Sequence, residues 1–396
     1  MRVLSVTAQK PCSTGSGVYL TEVVRSLAKM GVSQAVVAGV TREDRVDMPE
    51  GVTVYPVYFS SEKLPYPVVG MSDDMPYTST RYRDMTEEMA GQFKAAFLEV
   101  LDEAIEKENP DIILCHHLYY LTALIRAHYP AKKVYGFCHN TDLRQMESIL
   151  FERNFIRQEI PKLDRIFVLQ EAQKEKIKKI YPVSEKQMTV IGTGYNSEVF
   201  KKTGIKSSRK DGKIRMIFAG KITQKKGVKS LLRALNLLDY EKEKIQLILA
   251  GGAGNLVEYE EIKELADGCR YLVVFAGCVT QSRLAELYNE CDIFVLPSMY
   301  EGLPLTVIES LACGDRVVMT KLEGIAEWLA DMVPDADIRY VLPPGMKGTD
   351  EPLEEELPAF ESRLAEALRE AIEEKDTKEC DVSRISWQKI AREVIR

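Results

Sequence analysis

The chain is 396 residues long, 45% hydrophobic and 29% charged, with a net charge of −7. That length exceeds what one hydrophobic core usually holds and implies two domains; the composition is that of a globular protein, and the acidic balance argues against a nucleic-acid binder. No apolar run reaches the roughly 18 residues that span a bilayer, and the start MRVLSVTAQK lacks the apolar core of a signal peptide, so a cytoplasmic protein is expected.

Residues 2–6 read as a strand, followed by the loop AQKPCSTGSG and an amphipathic helix over about 18–30. Gly15 and Gly17, with Ser16 between them, let the backbone approach a phosphate or an acceptor hydroxyl at that helix start. A plain tight turn is the simpler account of the two glycines. The spacing is not GxGxxG, and no acidic residue ends the next strand, QAVVAGV, which weighs against a dehydrogenase. Residues 49–84, rich in Pro, Tyr, Ser and Asp without a sustained period, read as a long surface loop whose tyrosines suit a ring-bearing acceptor.

A long helix follows over about 86–107, then the strand DIILC with His116 and His117 at its carboxyl end. The strand VYGFC runs straight into HNTDLRQ, which places His139 at another carboxyl end with Asp142 and Arg144 behind it. Such ends are where open α/β sheets place their sites, so His139 reads as a polar site residue, with a core histidine satisfied by the backbone as the alternative. Adjacent histidines on a strand point to opposite faces, so His116, His117 and His139 are not expected to share a metal ion. The eight cysteines form no CxxC pair and no cluster at zinc spacing; Cys115, Cys138 and Cys313, in apolar segments, read as reduced and structural. The helix after DRIFVLQ carries Lys174, Lys176, Lys178 and Lys179 and reads as a solvated face, with weak membrane-surface contact as the sharper alternative.

The second half opens on KIRMIFAGKITQKKG: a strand, a turn at Gly220, then Lys221 and Lys226 ahead of a helix beginning near Gly227. Both ammonium groups can reach one diphosphate. IQLILAGGAGN and YLVVFAGCVT continue the alternation of a doubly wound sheet. Then comes DIFVLPSMYEGLPLTVIESLACGDRVVMT, a buried strand whose loop meets Pro304 at the expected first helical position, with Leu303 at the N-cap. Leucine cannot bond the orphan amides, so those of Leu305, Thr306 and Val307, beside Gly302, form an anion site. Glu301 stands before this helix and Glu309 on its second turn, where carboxylates suit sugar hydroxyls; as a surface acid and a loop charge the two also have an ordinary explanation. Residues 331–376, including EPLEEELPAFES, read as a loop and a polar helix, and a final helix over about 384–395 presents Trp387, Ile390 and Val394 on one face for packing across the domain boundary.

EGLPLTVIESLACG after a strand ending in PS resembles the E-x7-E signature of the retaining glycosyltransferases of family four, the group 1 nucleotide-sugar transferases. The resemblance implies an α/β chain of GT-B fold, two Rossmann-like doubly wound domains facing across a cleft. Residues 1–196 would form the acceptor side and 197–380 the nucleotide-sugar side, with 381–396 packing back on the first. By the same resemblance Glu309 binds the nucleotide ribose, and Glu301 and His139 contact the donor sugar. Gly302, Leu303, Pro304, Leu305 and Thr306 would hold the distal phosphate, and the main chain at Val279 would meet the base. Gly220, Lys221 and Lys226 are similar to the family's G-R-x4-K-G element, with Lys221 in place of arginine, which keeps the charge and loses the planar fork. MTVIGTGYN looks like the passage into the second domain at Gly194 and Asn196, and GIAEW, with Glu327, resembles the family's GG-x-x-E turn; Arg316 and Glu323 depart from its usual proline and glycine.

The implied activity is transfer of a hexosyl or N-acetylhexosaminyl group from a nucleoside diphosphate sugar, a UDP-sugar favoured, to a hydroxyl of a saccharide, lipid-linked or small-molecule acceptor. Retention of configuration, no metal and no separate cofactor go with it. Two alternatives share the architecture. A sugar-nucleotide isomerase of 2-epimerase type needs acid and base carboxylates in the first domain, where Asp142 is the obvious candidate; a catalytically silent carbohydrate-binding relative would have lost Glu301, Glu309, Lys221 or Lys226.

Overall fold

A computed structural model describes every residue except Cys12, Asp74, Gly254, 349–350 and 375–379, and leaves the side chain of Ser207 undescribed. The chain divides into two units, Met1–Gly194 with Ser386–Arg396, and Tyr195–Ile385. In each, short apolar runs such as Ile112–His116 and Ile293–Leu296 are buried at every residue, as strands covered on both faces by helices must be.

The first unit holds a parallel sheet of seven strands in the order Thr53–Tyr58, Ser33–Val40, Arg2–Thr7, Ile112–His116, Lys133–Phe137, Arg165–Val168, Met188–Val190. The second repeats the scheme with Leu272–Gly277, Ile245–Ala250, Ile214–Ala219, Ile293–Leu296, Arg316–Thr320, Ile338–Val341. In both, the order reverses beside the first strand of the unit, and the carboxyl ends of the strands flanking such a point are where open α/β sheets place their sites. Arg2–Thr7 and Ile112–His116 flank it in the first unit, Ile214–Ala219 and Ile293–Leu296 in the second.

Several sequence expectations need correction. The first helix is Gly15–Lys29, three residues earlier than expected, because the Thr14 hydroxyl caps it by accepting from the Gly17 amide at 3.2 Å. Residues 49–84 are no surface loop. They supply the edge strand Thr53–Tyr58 and bury Leu64, Val68, Val69 and Tyr82 in the core; short pieces that cross a core in changing directions leave no period to read. Nor is the acidic C-terminal helix polar. Leu357–Glu373 buries Phe360, Leu364 and Leu368, and Glu361 accepts from Ser230 Oγ and Arg233 at 3.2 Å each.

The last helix, Trp387–Val394, packs in the first unit. Trp387 stands edge-on to Tyr19 with ring centres 4.9 Å apart, and Glu393 pairs with Arg165. A Cβ at Gly194 would lie 2.5 Å from the Trp387 amide nitrogen, so only glycine admits this contact. Among the described residues no helix is long and apolar enough to cross a membrane.

Candidate active site

In the second unit, Ile214–Ala219 delivers Gly220 and a half-buried Lys221, and a single turn, Gln224–Lys226, follows. Thr223 caps that turn, its hydroxyl accepting from the Lys226 amide at 3.3 Å. Gly227 ends it at φ +73°, where a Cβ would sit 2.0 Å from the Pro297 carbonyl oxygen. Glycine is therefore what lets the turn lie against the end of the neighbouring strand Ile293–Leu296. The Met299 amide also donates to the Lys225 carbonyl at 2.9 Å. As a result Lys226 Nζ lies 2.6 Å from Glu301 Oε1, across 75 residues of chain.

The helix after that loop is Leu305–Ala312, with Pro304 rather than Leu303 at the N-cap. Proline's φ of −75° fits a first helical residue, but its ψ of 111° is extended, which moves the start on by one. No side chain caps the helix. The Val307 amide reaches the Pro304 carbonyl at 3.3 Å and is not free as expected; those of Leu305 and Thr306 precede the first intrahelical bond. Leu303 is buried, Gly302 half-buried, and Glu309 buried on the second turn. Burial pushes the Tyr288 phenol well above its usual pKa, and the charge of Glu309 adds to the rise. Val279, half-buried, precedes Thr280, the N-cap of Gln281–Glu290. The structure thus gathers Lys226, Glu301 and an uncapped helix start at one switch point, with Lys221 at the end of the same strand pair.

The first unit builds its switch point from neutral rings. His116 ends its strand, and His117 turns away at φ +76°, its amide donating to the Phe137 carbonyl at 3.0 Å and its carbonyl accepting from Thr122 Oγ at 2.5 Å. His139, half-buried, follows Lys133–Phe137 and meets His116, Nε2 to Nδ1, at 3.0 Å. Burial drives His116 down to about 3 and His117 to about 4, and holds His139 well below the ordinary imidazole value, with the neighbouring rings adding to the shift at His139. All three are uncharged at neutral pH.

Asp142 is fully buried. It accepts from the Leu118 amide at 2.7 Å and the His139 amide at 3.2 Å, tying two strand-end loops together. Burial raises its carboxyl to about 6, against the pull of those amides. A sealed strut of this kind does not offer the exposed carboxylate an isomerase would need. Arg144 pairs with Asp73 at 2.9 Å. At the first helix, Ser16 bonds the Thr14 hydroxyl at 3.1 Å, and the Gly17 amide is taken by Thr14. Of the cysteines, Cys115, Cys138 and Cys313 are free and buried; Cys12 lies outside the described residues. No group of three or more His, Cys, Asp or Glu among the described residues is arranged to hold a metal ion.

Sequence reasoning passed over Thr223, and placed His116 at a strand end without giving it a partner. Thr223 was within reach, since a threonine three residues before Lys226 is a capping signal. The role of His116 depends on cross-strand register, which no local pattern carries.

Residues 200–348 match the family model for glycosyl transferases group 1, and residues 13–199 that for glycosyltransferase family 4. The D-inositol 3-phosphate glycosyltransferase 2 of Catenulispora acidiphila is 25% identical over 80% of this chain and 76% of its own. The lipopolysaccharide 1,2-N-acetylglucosaminetransferase of Salmonella typhimurium is 23% identical over 76% and 75%. With other relatives the match spans less than half their length: 44% of an uncharacterised glycosyltransferase of Methanocaldococcus jannaschii, 29% identical over 41% of this chain, and 46% of the alpha-maltose-1-phosphate synthases of Mycobacterium tuberculosis. Among solved structures, sucrose-phosphate synthase from Thermosynechococcus elongatus superposes with a TM-score of 0.69 at 15% identity, covering 100% of this chain and 97% of that one. An Anabaena protein solved with UDP-glucose gives 0.63 at 14%, covering 100% and 98%. At such identities the likeness is one of fold, the GT-B class.

Proposed function

We propose that the chain, matched over residues 200–348 by the group 1 glycosyl transferase model and over 13–199 by that for glycosyltransferase family 4, is a glycosyltransferase of this group that moves a sugar from a nucleoside diphosphate donor to a hydroxyl acceptor, with retention of configuration and without a metal ion. The observation that carries this reading is the Lys226 ammonium held on Glu301 beside an uncapped helix start. Cleavage of the bond between the sugar's anomeric carbon and the diphosphate leaves an electron pair on the β-phosphate oxygen. Lys221, Lys226 and the amides of Leu305 and Thr306, near Gly302 and Gly220, stabilise that charge where it forms. The acceptor oxygen bonds to the anomeric carbon on the face the diphosphate leaves, and its proton passes to the departing phosphate.

Glu309 takes the ribose hydroxyls, Glu301 and His139 the sugar, and the main chain at Val279 the base; Gly15, Ser16 and Gly17 serve the first unit's end of the site. The Anabaena structures, solved with UDP and with UDP-glucose, favour uridine as the base. The relatives are named for different acceptors, which supports no narrower class than a saccharide, lipid-linked or small-molecule hydroxyl, or choice between hexosyl and N-acetylhexosaminyl donors. No cofactor beyond the donor substrate is invoked, and any membrane contact is peripheral. Mass spectrometry of the protein with UDP-, GDP- and ADP-sugars, scoring slow donor hydrolysis, tests the reading. Hydrolysis of one nucleotide class is expected; inertness toward all three would refute it.

A further inference from the structure

Two imidazoles meet in the first unit in a way the activity does not by itself require. The rings of His116 and His139 lie within 13° of parallel, with centres 5.3 Å apart and nitrogens 3.0 Å apart. Centres that exceed the nitrogen separation by about the width of a ring describe an in-plane hydrogen bond, not a face-to-face stack. One nitrogen must donate and the other accept.

The far nitrogen of His116, Nε2, is buried with no hydrogen-bond partner. Phe137 covers the face of the His116 ring, at 9° and 4.7 Å, so it does not receive a proton at the ring edge. Were His139 the donor, His116 would have to carry its proton on Nε2, leaving an N–H orphaned in the core. With His116 as donor, Nε2 holds only an unused lone pair. Buried orphan N–H groups are the rarer and costlier defect. Both rings are uncharged, as their burial dictates.

We propose that His116 is a positioning residue: its Nδ1–H donates to His139 Nε2, locking His139 as the Nδ1–H tautomer, so that the remaining ring nitrogen meets the bound sugar as a hydrogen-bond donor. Contact of His139 with the sugar rests on the glycosyltransferase reading above; the tautomer does not. In water an isolated histidine favours the Nε2–H form, so His139 is held in its minor state by a neighbour 23 residues away.

Long-range 1H–15N correlation spectra of the intact protein at pH 7 test this directly, because the chain has only four histidines. His116 and His139 should each show a protonated Nδ1 and a bare Nε2; a protonated Nε2 on His139 overturns the proposal. His116→Asn keeps an N–H at the Nδ position and should preserve both the His139 tautomer and donor kcat/KM within about threefold, whereas His116→Phe should shift His139 toward Nε2–H and lower kcat/KM about tenfold. Equal kcat/KM in the two variants also overturns it. If His116→Phe does not fold, the wild-type spectrum and His116→Asn decide the matter. Inertness toward every nucleotide sugar sinks the glycosyltransferase reading alone, since the spectrum is read without substrate.

Discussion

Replacing Lys226 by alanine separates a structural from a catalytic use of its charge. The ammonium and the Glu301 carboxylate are 2.6 Å apart with side chains 25% and 15% exposed. That places the pair between surface ion pairs, worth about 0–1 kcal/mol, and buried ones, whose half-removal costs about 3–5 kcal/mol. A loss of about 1–2 kcal/mol follows, which lowers the melting temperature of the unit Tyr195–Ile385 by about 2–8 °C. Turnover should fall far more, because loss of a preorganised charge facing a developing anion costs about 10²–10³ in kcat. Donor turnover by mass spectrometry and a thermal melt on the same sample read the two effects, and Lys226→Arg should recover much of the rate. A melting temperature reduced by several degrees with kcat within about threefold of wild type would mark the pair as a strut and refute the leaving-group role.

Glu309→Ala should raise the dissociation constant for the nucleotide about 10–100-fold by calorimetry, the worth of charge-assisted hydrogen bonds to hydroxyls, and an unchanged value removes Glu309 from the site. Gly227→Ala forces a Cβ into the αL region and to 2.0 Å from the Pro297 oxygen; a loss of about 3 kcal/mol or more in urea denaturation is expected, and a loss below about 1 kcal/mol would show that the turn can shift freely. Acid should destabilise the first unit. The unfolded chain protonates its histidines below about pH 6.5, whereas folded His116 and His117 wait until about 3 and 4, and His139 also lies well below its ordinary value. The unfolded state therefore binds more protons, and stability is complete above about pH 6.5 and drains toward pH 4. Asp142, raised to about 6, opposes one of those three protons over the lower part of the window. The denaturant midpoint should be lower at pH 5 than at pH 7 and less so in His116→Asn; a flat profile contradicts the burial argument.

Both sheets were legible in the sequence because their strands are continuous apolar runs separated by amphipathic helices, a pattern with few parallel-sheet solutions. Element ends were less so. The helix at Gly15 starts early because Thr14 supplies a cap, and the one at Leu305 starts late because Pro304 adopts an extended ψ; each is decided by one side chain or one dihedral, not by periodicity. The stretch 49–84 misled because its buried residues, Leu64, Val68 and Tyr82, serve short pieces with no common face. Lys226 and Glu301 were each visible as charges in short local motifs. Their pairing was not, since it depends on a glycine turn packed against Pro297.

The same strand order carries opposite chemistry in the two units, and this explains why the second unit's switch point was easier to read than the first's. In the second unit the switch point is furnished by charged side chains on the loops and helix start that follow the strand ends, so their spacing brought Lys221, Lys226, Glu301 and Glu309 forward as candidates and the family resemblance decided in their favour. In the first, the polar groups are uncharged rings whose meaning depends on register. His116 pairs with Phe137 across two parallel strands, and His139 stands two residues beyond that partner, on the same side of its strand. One residue of slip would send His139 to the other face and break the 3.0 Å contact. The tie from Asp142 to the Leu118 and His139 amides guards against that slip. Asp142→Asn, which replaces an acceptor pair with one oxygen and one N–H facing donors, should therefore loosen the His116–His139 contact before it unfolds the unit, seen as mixed tautomers of His139 in the nitrogen spectrum at pH 7; a single unchanged tautomer would mean that the strand pairing alone holds the register.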